Sequence, residues 1–475
     1  MSRLVVVSNR VALPKDLRAG GLASALRAAL VERGGIWFGW SGRVIDGTPD
    51  AAPQTEQAGN ITFALTDLSP ADYQAYYLGF ANRTLWPLLH YRPGLLEFDR
   101  NEMQGYLRVN RQFALQLAGL LRDDDTIWVH DYHLIPLAQE LRALGVGARI
   151  GFYLHIPLPP AGLLTTLPGH NHLLQSLADY DLVGVQTGSD LQNLKDYFAS
   201  ECAAILHEDG GIELPHGRRF RAGAFPISID ATQVARQSAA AASSATARGL
   251  TASLQGRALA IGVDRLDYSK GLPERFVAFG RFLDQHPERR RHVSMMQIAP
   301  PSREDVPEYR DLRRRLEQLA GAVNGRHAEP DWVPVRYINR SFQHATLMGY
   351  YRVAQIGLVT PLRDGMNLVA KEFVAAQPPD DPGVLVLSRF AGAAAELTQA
   401  LLVNPHDPDD AADAIECALV MPIAERRERW QAMFDQIRRH DINAWREAFL
   451  DALAGTALSP RPPSAWHSDS RPPTT

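Results

Sequence analysis

AQIGLVTPLRDGMNLVAKE, residues Ala354–Glu372, decides the fold. Its first seven residues are almost wholly apolar, as in a strand covered on both faces. An Arg-Asp-Gly turn follows, and then a segment with helical spacing. A strand that ends in charge on a tight glycine turn and leads into a helix is the repeating unit of a doubly wound α/β sheet, whose ligands gather at the carboxyl ends of the strands. Successive helical residues turn by about 100°, so Val369, Phe373 and Ala376 form the packed stripe and Lys371 points away from it. Glu372 falls about 60° from the stripe's centre, at the edge of the buried face. A carboxylate there needs hydrogen-bond partners, and ribose hydroxyls would serve. Asp364 and the N–H groups of Gly365, Met366 and Asn367 stand at the helix mouth. They either hold a sugar and a diphosphate or simply cap the helix.

The same alternation runs through the chain. LVVVS, TIWVH, RIGFYLH, LVGVQ, ALAIGV, VSMMQIA, QIGLV and VLVLS read as buried parallel strands. Between them, LIPLAQELRAL and LPERFVAFGRFL carry apolar residues at helical spacing. Repeated β-α units imply doubly wound sheets, and 475 residues are too many for one core. The Ala/Ser-rich QSAAAASSATARGLTASLQG reads as a low-information helix between domains. The expected organisation is an α/β chain of two Rossmann-like domains facing across a cleft. Residues 1–230 form the first and 231–440 the second. Segment 441–458 is a C-terminal helix, and 459–475, Pro/Ser-rich, is a disordered tail.

A net charge of −4 offers no global field for nucleic acid or an acidic membrane, so any anion must be held by a local cationic cluster. Two isolated cysteines exclude a disulfide framework and fit a reducing cytoplasm. The N-terminal apolar run is too short for a signal peptide, and nothing approaches the roughly 20 apolar residues of a membrane span.

Several strand ends carry chemistry. Arg10 directly follows the first strand. Gly20 and Gly21 precede a helical pattern, where backbone N–H groups could donate to a phosphate, although taken alone the stretch reads better as a plain flexible turn. In WVHDYHLIP, the spacing of His130, Asp131 and His133 is not that of a zinc helix. Asp131 is better read as ending a strand and accepting hydrogen bonds from sugar hydroxyls, or as a helix cap. His155 closes the next strand. Arg265 and Lys270 flank a strand-to-helix turn and could converge on one anion, or pair with Asp264 and Asp267 on the surface. Arg303 lies just past another strand end.

Taken together, VVVSNR, WFGWSG, LWPLLHY, HDYHL, LHIPLP, RLDYSKG, IAPPSR and TPLRDGMNLVAKE resemble, in order, the motifs of the retaining glycosyltransferases that make trehalose 6-phosphate. The resemblance spans about residues 1 to 455. It implies the GT-B fold, UDP-glucose as donor and glucose 6-phosphate as acceptor, with no metal or other cofactor. By that similarity Arg265 and Lys270 hold the donor diphosphate and Glu372 the ribose. Asp364 with Gly365, Met366, Asn367, Leu368 and Val369 holds the transferred glucose, Gly20 and Gly21 close over the donor, Phe342 lies by the uracil, and His155 faces the donor sugar. Arg10, Tyr77 and Arg303 bind the acceptor phosphate, Asp131 the acceptor sugar, and Trp40 and Trp86 wall the pocket. The C-terminal helix crosses back onto the first domain. The resemblance also implies a homo-oligomer, dimer or tetramer, and a separate phosphatase downstream. Leu158 and Ala395 depart from the pattern, where a phenylalanine and a polar residue are expected.

Retention follows either from a carboxylate nucleophile at Asp131 or Asp364 or, as the resemblance implies, from same-face attack in which the leaving phosphate takes the acceptor's proton. Rival readings are a GDP- or ADP-glucose user, a glucosylglycerol-phosphate synthase, a sugar-nucleotide epimerase on the same architecture, or a silent regulatory copy. An epimerase needs no acceptor phosphate site, which Arg10, Tyr77 and Arg303 speak against. A silent copy would be expected to lose charges that are present here.

Overall fold

The computed structural model describes residues 2–13, 26–27, 29–32, 34–47, 52–302 and 307–455. They fall into two units, divided between Ala224 and Phe225, with residues 26–27 grouping with the second unit and the chain from Phe449 onward with the first again.

The first unit holds β1 (Leu4–Arg10), β2 (Gly35–Val44), β3 (Gln54–Ala58), β4 (Ile61–Leu68), β5 (Thr126–His130), β6 (Arg149–Tyr153), β7 (Leu182–Val185), β8 (Ile205–Leu206), β9 (Gly211–Glu213) and β10 (Arg219–Ala224). Their order in the sheet is β3-β4-β2-β1-β5-β6-β7-β10-β9-β8. The seven strands from β4 to β10 run parallel, and antiparallel pairs finish both edges. Strand order reverses between β1 and β5, so Arg10 and Asp131 leave adjacent strands at the switch point, where α/β sheets bind ligands.

The second unit holds β11 (Ala258–Val263), β12 (Val293–Ile298), β13 (Val335–Ile338), β14 (Ile356–Val359), β15 (Val384–Ser388) and β16 (Leu401–Val403). All six are parallel, in the order β13-β12-β11-β14-β15-β16, the dinucleotide-binding arrangement. Its switch point lies between β11 and β14. Asp264 and Arg265 follow one, Thr360 to Asp364 the other.

Three expectations change. The Ala/Ser-rich stretch is not an interdomain helix: it forms two helices, Ala231–Ala241 and Ala245–Leu254, inside the second unit. Small side chains serve close packing there, since a Cβ on Gly349 would come within 3.2 Å of the Ala241 carbonyl. The units divide at 224/225 rather than at 230, because Phe225 onward already packs with the second sheet's unit. The last helix, Ile442–Ala454, is not a segment apart, since its residues through Ala448 group with the second unit. From Phe449 it belongs to the first. The Phe449 ring stacks on Trp128 of β5 at 4.9 Å and 14°, in space that Gly151 leaves: a Cβ there would lie 2.9 Å from Phe449 and Leu453. Residues 459–475, Gly20, Gly21 and Arg303 lie outside the described residues.

Candidate active site

In the second unit a buried guanidinium fixes the strand ends. Arg275, 2% exposed, donates to Asp264 at 2.7 Å, Gln297 at 2.7 Å and Thr360 at 3.0 Å, tying together the ends of β11, β12 and β14. Asp264 is thus engaged from within. Asp267 caps the turn before the next helix, accepting from the Ser269 N–H at 3.0 Å and its hydroxyl at 2.9 Å. Neither geometry is the surface pairing with Arg265 and Lys270 weighed from sequence. Arg265 stands exposed at the end of β11. Lys270 closes the same connection, just before Gly271, whose φ of +64° starts the helix Leu272–Gln285. A side chain at Gly271 would meet the Thr360 carbonyl at 2.2 Å, so the Lys270 turn lies hard against the end of β14.

That closeness brings Lys270 Nζ to Asp364 Oδ2 at 2.5 Å. Asn367 Nδ2 donates to the same oxygen at 3.0 Å. Asn367 has φ +72° ahead of the helix Leu368–Ala376 and offers no side-chain cap. Asp364 therefore does not cap that helix in the usual way. Its backbone is pinned to the loop after β15, its N–H donating to the Phe390 carbonyl at 3.2 Å and its carbonyl accepting from Gly392 at 3.2 Å. Gly365, Met366 and Asn367 are buried, and Leu368 and Val369 partly so.

Lys371 does not point away from the packed face. It is 1% exposed and donates to Glu396 at 2.7 Å and to the Ile227 carbonyl at 2.8 Å. Burial pushes its pKa down, and Glu396 opposes that shift. Val369, assigned to the stripe, is only partly covered, while Ala370, Phe373 and Val374 are buried. The stripe is rotated because Glu396 and the Ile227 carbonyl hold the ammonium on the Lys371 side. Glu372 stays at the edge of the buried face, 3.7 Å from His344 Nε2. Phe342 lies near by in sequence, with Arg340 over its ring at 4.9 Å and Tyr350 edge-on at 5.5 Å.

In the first unit, Arg10 is exposed at the end of β1. Its guanidinium lies 5.9 Å from the centre of the Trp40 ring, over Gly42, where a Cβ would be 2.7 Å away. Trp40 packs on Tyr77 at 5.5 Å and on Tyr73 at 5.6 Å. Tyr77 stacks on His133 at 5.9 Å and 14°. Both tyrosines come from a π-helix, Tyr73–Leu85, whose wide turn sets residues four apart face to face, 5.6 Å between rings. Trp86, 4% exposed, packs on His90 and on Tyr132, the residue after Asp131.

Asp131 has φ +77°, an uncommon angle for a residue with a side chain. Its N–H donates to Tyr153 at 2.8 Å, and its Oδ1 accepts from the His155 N–H at 3.2 Å. The His155 ring meets His130 Nδ1 through Nε2 at 3.0 Å. Burial pushes His155 down to about 3, and burial with the neighbouring His155 pushes His130 well below the usual value. Both rings are neutral at pH 7.

The structure thus joins Arg10, Trp40 and Tyr77; packs Trp86 on Tyr132, next to Asp131 in sequence; links Asp131 to His155; and clusters Lys270, Asp364 and Asn367. Reading residues singly missed Tyr73, His130, His133 and His344 as members of these sets. YQAYY beside a tryptophan strand was a usable signal for Tyr73; nothing local marked His344.

A sequence profile of glycosyltransferase family 20 matches residues 5–455. The chain belongs to this family. The trehalose-6-phosphate synthase of Sinorhizobium fredii is 52% identical over 463 residues, covering 96% of this chain and 99% of that protein. The trehalose-6-phosphate synthase of an Enterobacter species is 48% identical, covering 96% of each. Among solved structures, the UDP-forming α,α-trehalose-phosphate synthase of Burkholderia xenovorans in complex with glucose-6-phosphate superposes with a TM-score of 0.92 at 49% identity, covering 96% of this chain and 100% of that one. The E. coli protein bound with UDP-2-fluoro glucose gives 0.91 at 46% identity, covering 96% and 100%. The fold is that of the GT-B glycosyltransferases, with two Rossmann-like sheets.

Proposed function

We propose that this family 20 enzyme moves glucose with retention from UDP-glucose to glucose 6-phosphate, giving α,α-trehalose 6-phosphate and UDP. The observation that supports the residue roles is the cluster at the second unit's switch point, where Lys270, Asp364 and the Asn367 turn converge. In this reading Arg265 and Lys270 hold the diphosphate and neutralise the charge that grows on it as the bond to glucose C1 breaks. Asp364 and the Gly365–Val369 turn hold the transferred sugar, Glu372 the ribose, and Phe342 the uracil. Arg10, Tyr77 and Arg303 take the acceptor phosphate, Asp131 the acceptor sugar, and Trp40 and Trp86 close its pocket. His155 faces the donor sugar, and Gly20 and Gly21 cover it. The acceptor's anomeric oxygen attacks C1, the C1–O bond to UDP breaks, and the acceptor's proton passes to the departing phosphate oxygen.

Two cations, Arg265 and Lys270, make a metal unnecessary in this scheme, so activity should survive a chelator in full. Cys202 and Cys417, both free thiols, suit a cytoplasmic enzyme, and no described helix is long and apolar enough to cross a membrane. A homo-oligomer and a separate phosphatase acting on the product complete the reading. The deciding experiment is a panel of UDP-, ADP- and GDP-glucose against glucose 6-phosphate and glycerol 3-phosphate, followed by nucleotide release and product analysis. Turnover with a different pair, or epimerised nucleotide sugar without acceptor, would displace the proposal.

A further inference from the structure

In the first unit His155 is paired with a second histidine, His130, that has no role in the proposed reaction. His130 is the last residue of β5 and 1% exposed. Its ring is packed on Trp128 at 4.5 Å and stacked on His155 at 5.3 Å. Its Nδ1 meets His155 Nε2 at 3.0 Å, while its own Nε2 is buried without a hydrogen-bond partner. His155 is fixed on its other sides as well. Its N–H donates to Asp131 at 3.2 Å, and its carbonyl accepts from Gln186 Nε2 at 3.2 Å. Gln186 is itself held by the Tyr153 hydroxyl at 2.9 Å.

Two neutral imidazoles sharing one hydrogen bond have only two arrangements, and each sets the other's tautomer. If His155 donates, His130 accepts at Nδ1 and must bury an orphan N–H at Nε2. If His130 donates, only a lone pair is left bare at that nitrogen. Orphaned buried N–H groups are the rarer of the two in folded proteins.

We propose that His130 is a positioning residue that donates its Nδ1–H to His155, so that His155 carries its own proton on Nδ1 and presents a donor, in one fixed ring orientation, to the nucleotide-sugar side of the reaction. The inference rests on the reading that His155 faces the donor sugar. His130, 1% exposed, is covered by the protein around it. Its effect reaches the reaction through the tautomer and angle of one ring, as an outer carboxylate or carbonyl orients a ligating histidine.

The test uses the full chain labelled with 15N-histidine, with two-bond proton–nitrogen correlation spectra at pH 7.5, and steady-state kinetics of His130→Phe, His130→Asn and His155→Ala. Asparagine keeps an N–H close to the position of Nδ1; phenylalanine keeps only the ring. The wild-type His155 signal should be that of the Nδ1–H tautomer. It should become mixed in His130→Phe, with kcat down about tenfold, an unchanged KM for glucose 6-phosphate, and recovery in His130→Asn. An Nε2–H tautomer at His155 in the wild type overturns the inference, whether or not either variant folds. So does a normal kcat in His130→Phe alongside an impaired His155→Ala, which leaves the role of His155 standing. A normal His155→Ala removes that role itself.

Discussion

Lys270 and Asp364 touch at 2.5 Å although they lie 94 positions apart, and both side chains are largely shielded, 14% and 12% exposed. In the proposed function a lysine so placed serves as a preorganised cation for the departing diphosphate, with the carboxylate beside it keeping it aimed. Replacing Lys270 or Arg265 by alanine is expected to raise the barrier by about 3 kcal/mol, a fall of roughly a hundredfold in kcat. Circular dichroism should be unchanged in both variants, and a near-normal kcat in either would remove its role. At the same scale, His130 and His155 predict a pH dependence of stability. Their folded values lie below 6.5, near 3 for His155. The unfolded chain therefore binds protons below about pH 6.5 that the folded chain refuses. Stability from this source is complete above that pH and is lost as pH falls from there toward 3. Urea midpoints measured at pH 7.5, 6.5 and 5.5 should decline, and His130→Asn should make the decline shallower; an identical slope would show that His130 does not titrate this way. The cations at strand ends were legible in the sequence because a charge directly after an apolar run has few structural uses. Their partners were not. Lys371 was set on the wrong face because a helix wheel sees one helix, and the groups that bury this ammonium, Glu396 and Ile227, come from elsewhere in the chain.

Elements divide the same way. β1, β5, β6, β7, β11, β12, β14 and β15 were all visible as apolar runs, since parallel strands covered on both faces leave no polar alternation to confuse them. β3, with four of five residues exposed, and the short β8 and β9 gave no such run. The π-helix was invisible because its apolar spacing fits no 3.6-residue wheel, yet it sets Tyr73 and Tyr77 against Trp40. Of the turns, the one at Gly271 is the most demanding. Gly271→Ala adds a left-handed residue and a 2.2 Å clash with the Thr360 backbone. A loss of about 2 kcal/mol or more in denaturant unfolding is expected, with kcat falling further than that loss explains, because Lys270 is the preceding residue. Wild-type kcat in a destabilised variant would uncouple the turn from the reaction.

For the whole molecule, the two sheets have the same internal logic: in each, the strand order reverses beside the first strand, and the candidate side chains leave the strands on either side of that reversal. The first unit, however, is discontinuous in the chain. Phe449→Ala should cost about 3–5 kcal/mol, as removal of a fully buried aromatic does, and should do so by loosening Trp128 and Tyr153 rather than the adjoining helix. A tryptophan fluorescence change without loss of stability would argue otherwise. The seat under Phe449 also bears on how the protein is born. A ribosome that has released 440 residues has made every strand of both sheets, yet the groove along Trp128 and Gly151 stands open to water until the final turns of chain emerge. Nascent chains stalled at that length should remain open to protease cleavage in the N-terminal half, and a few more codons should close them.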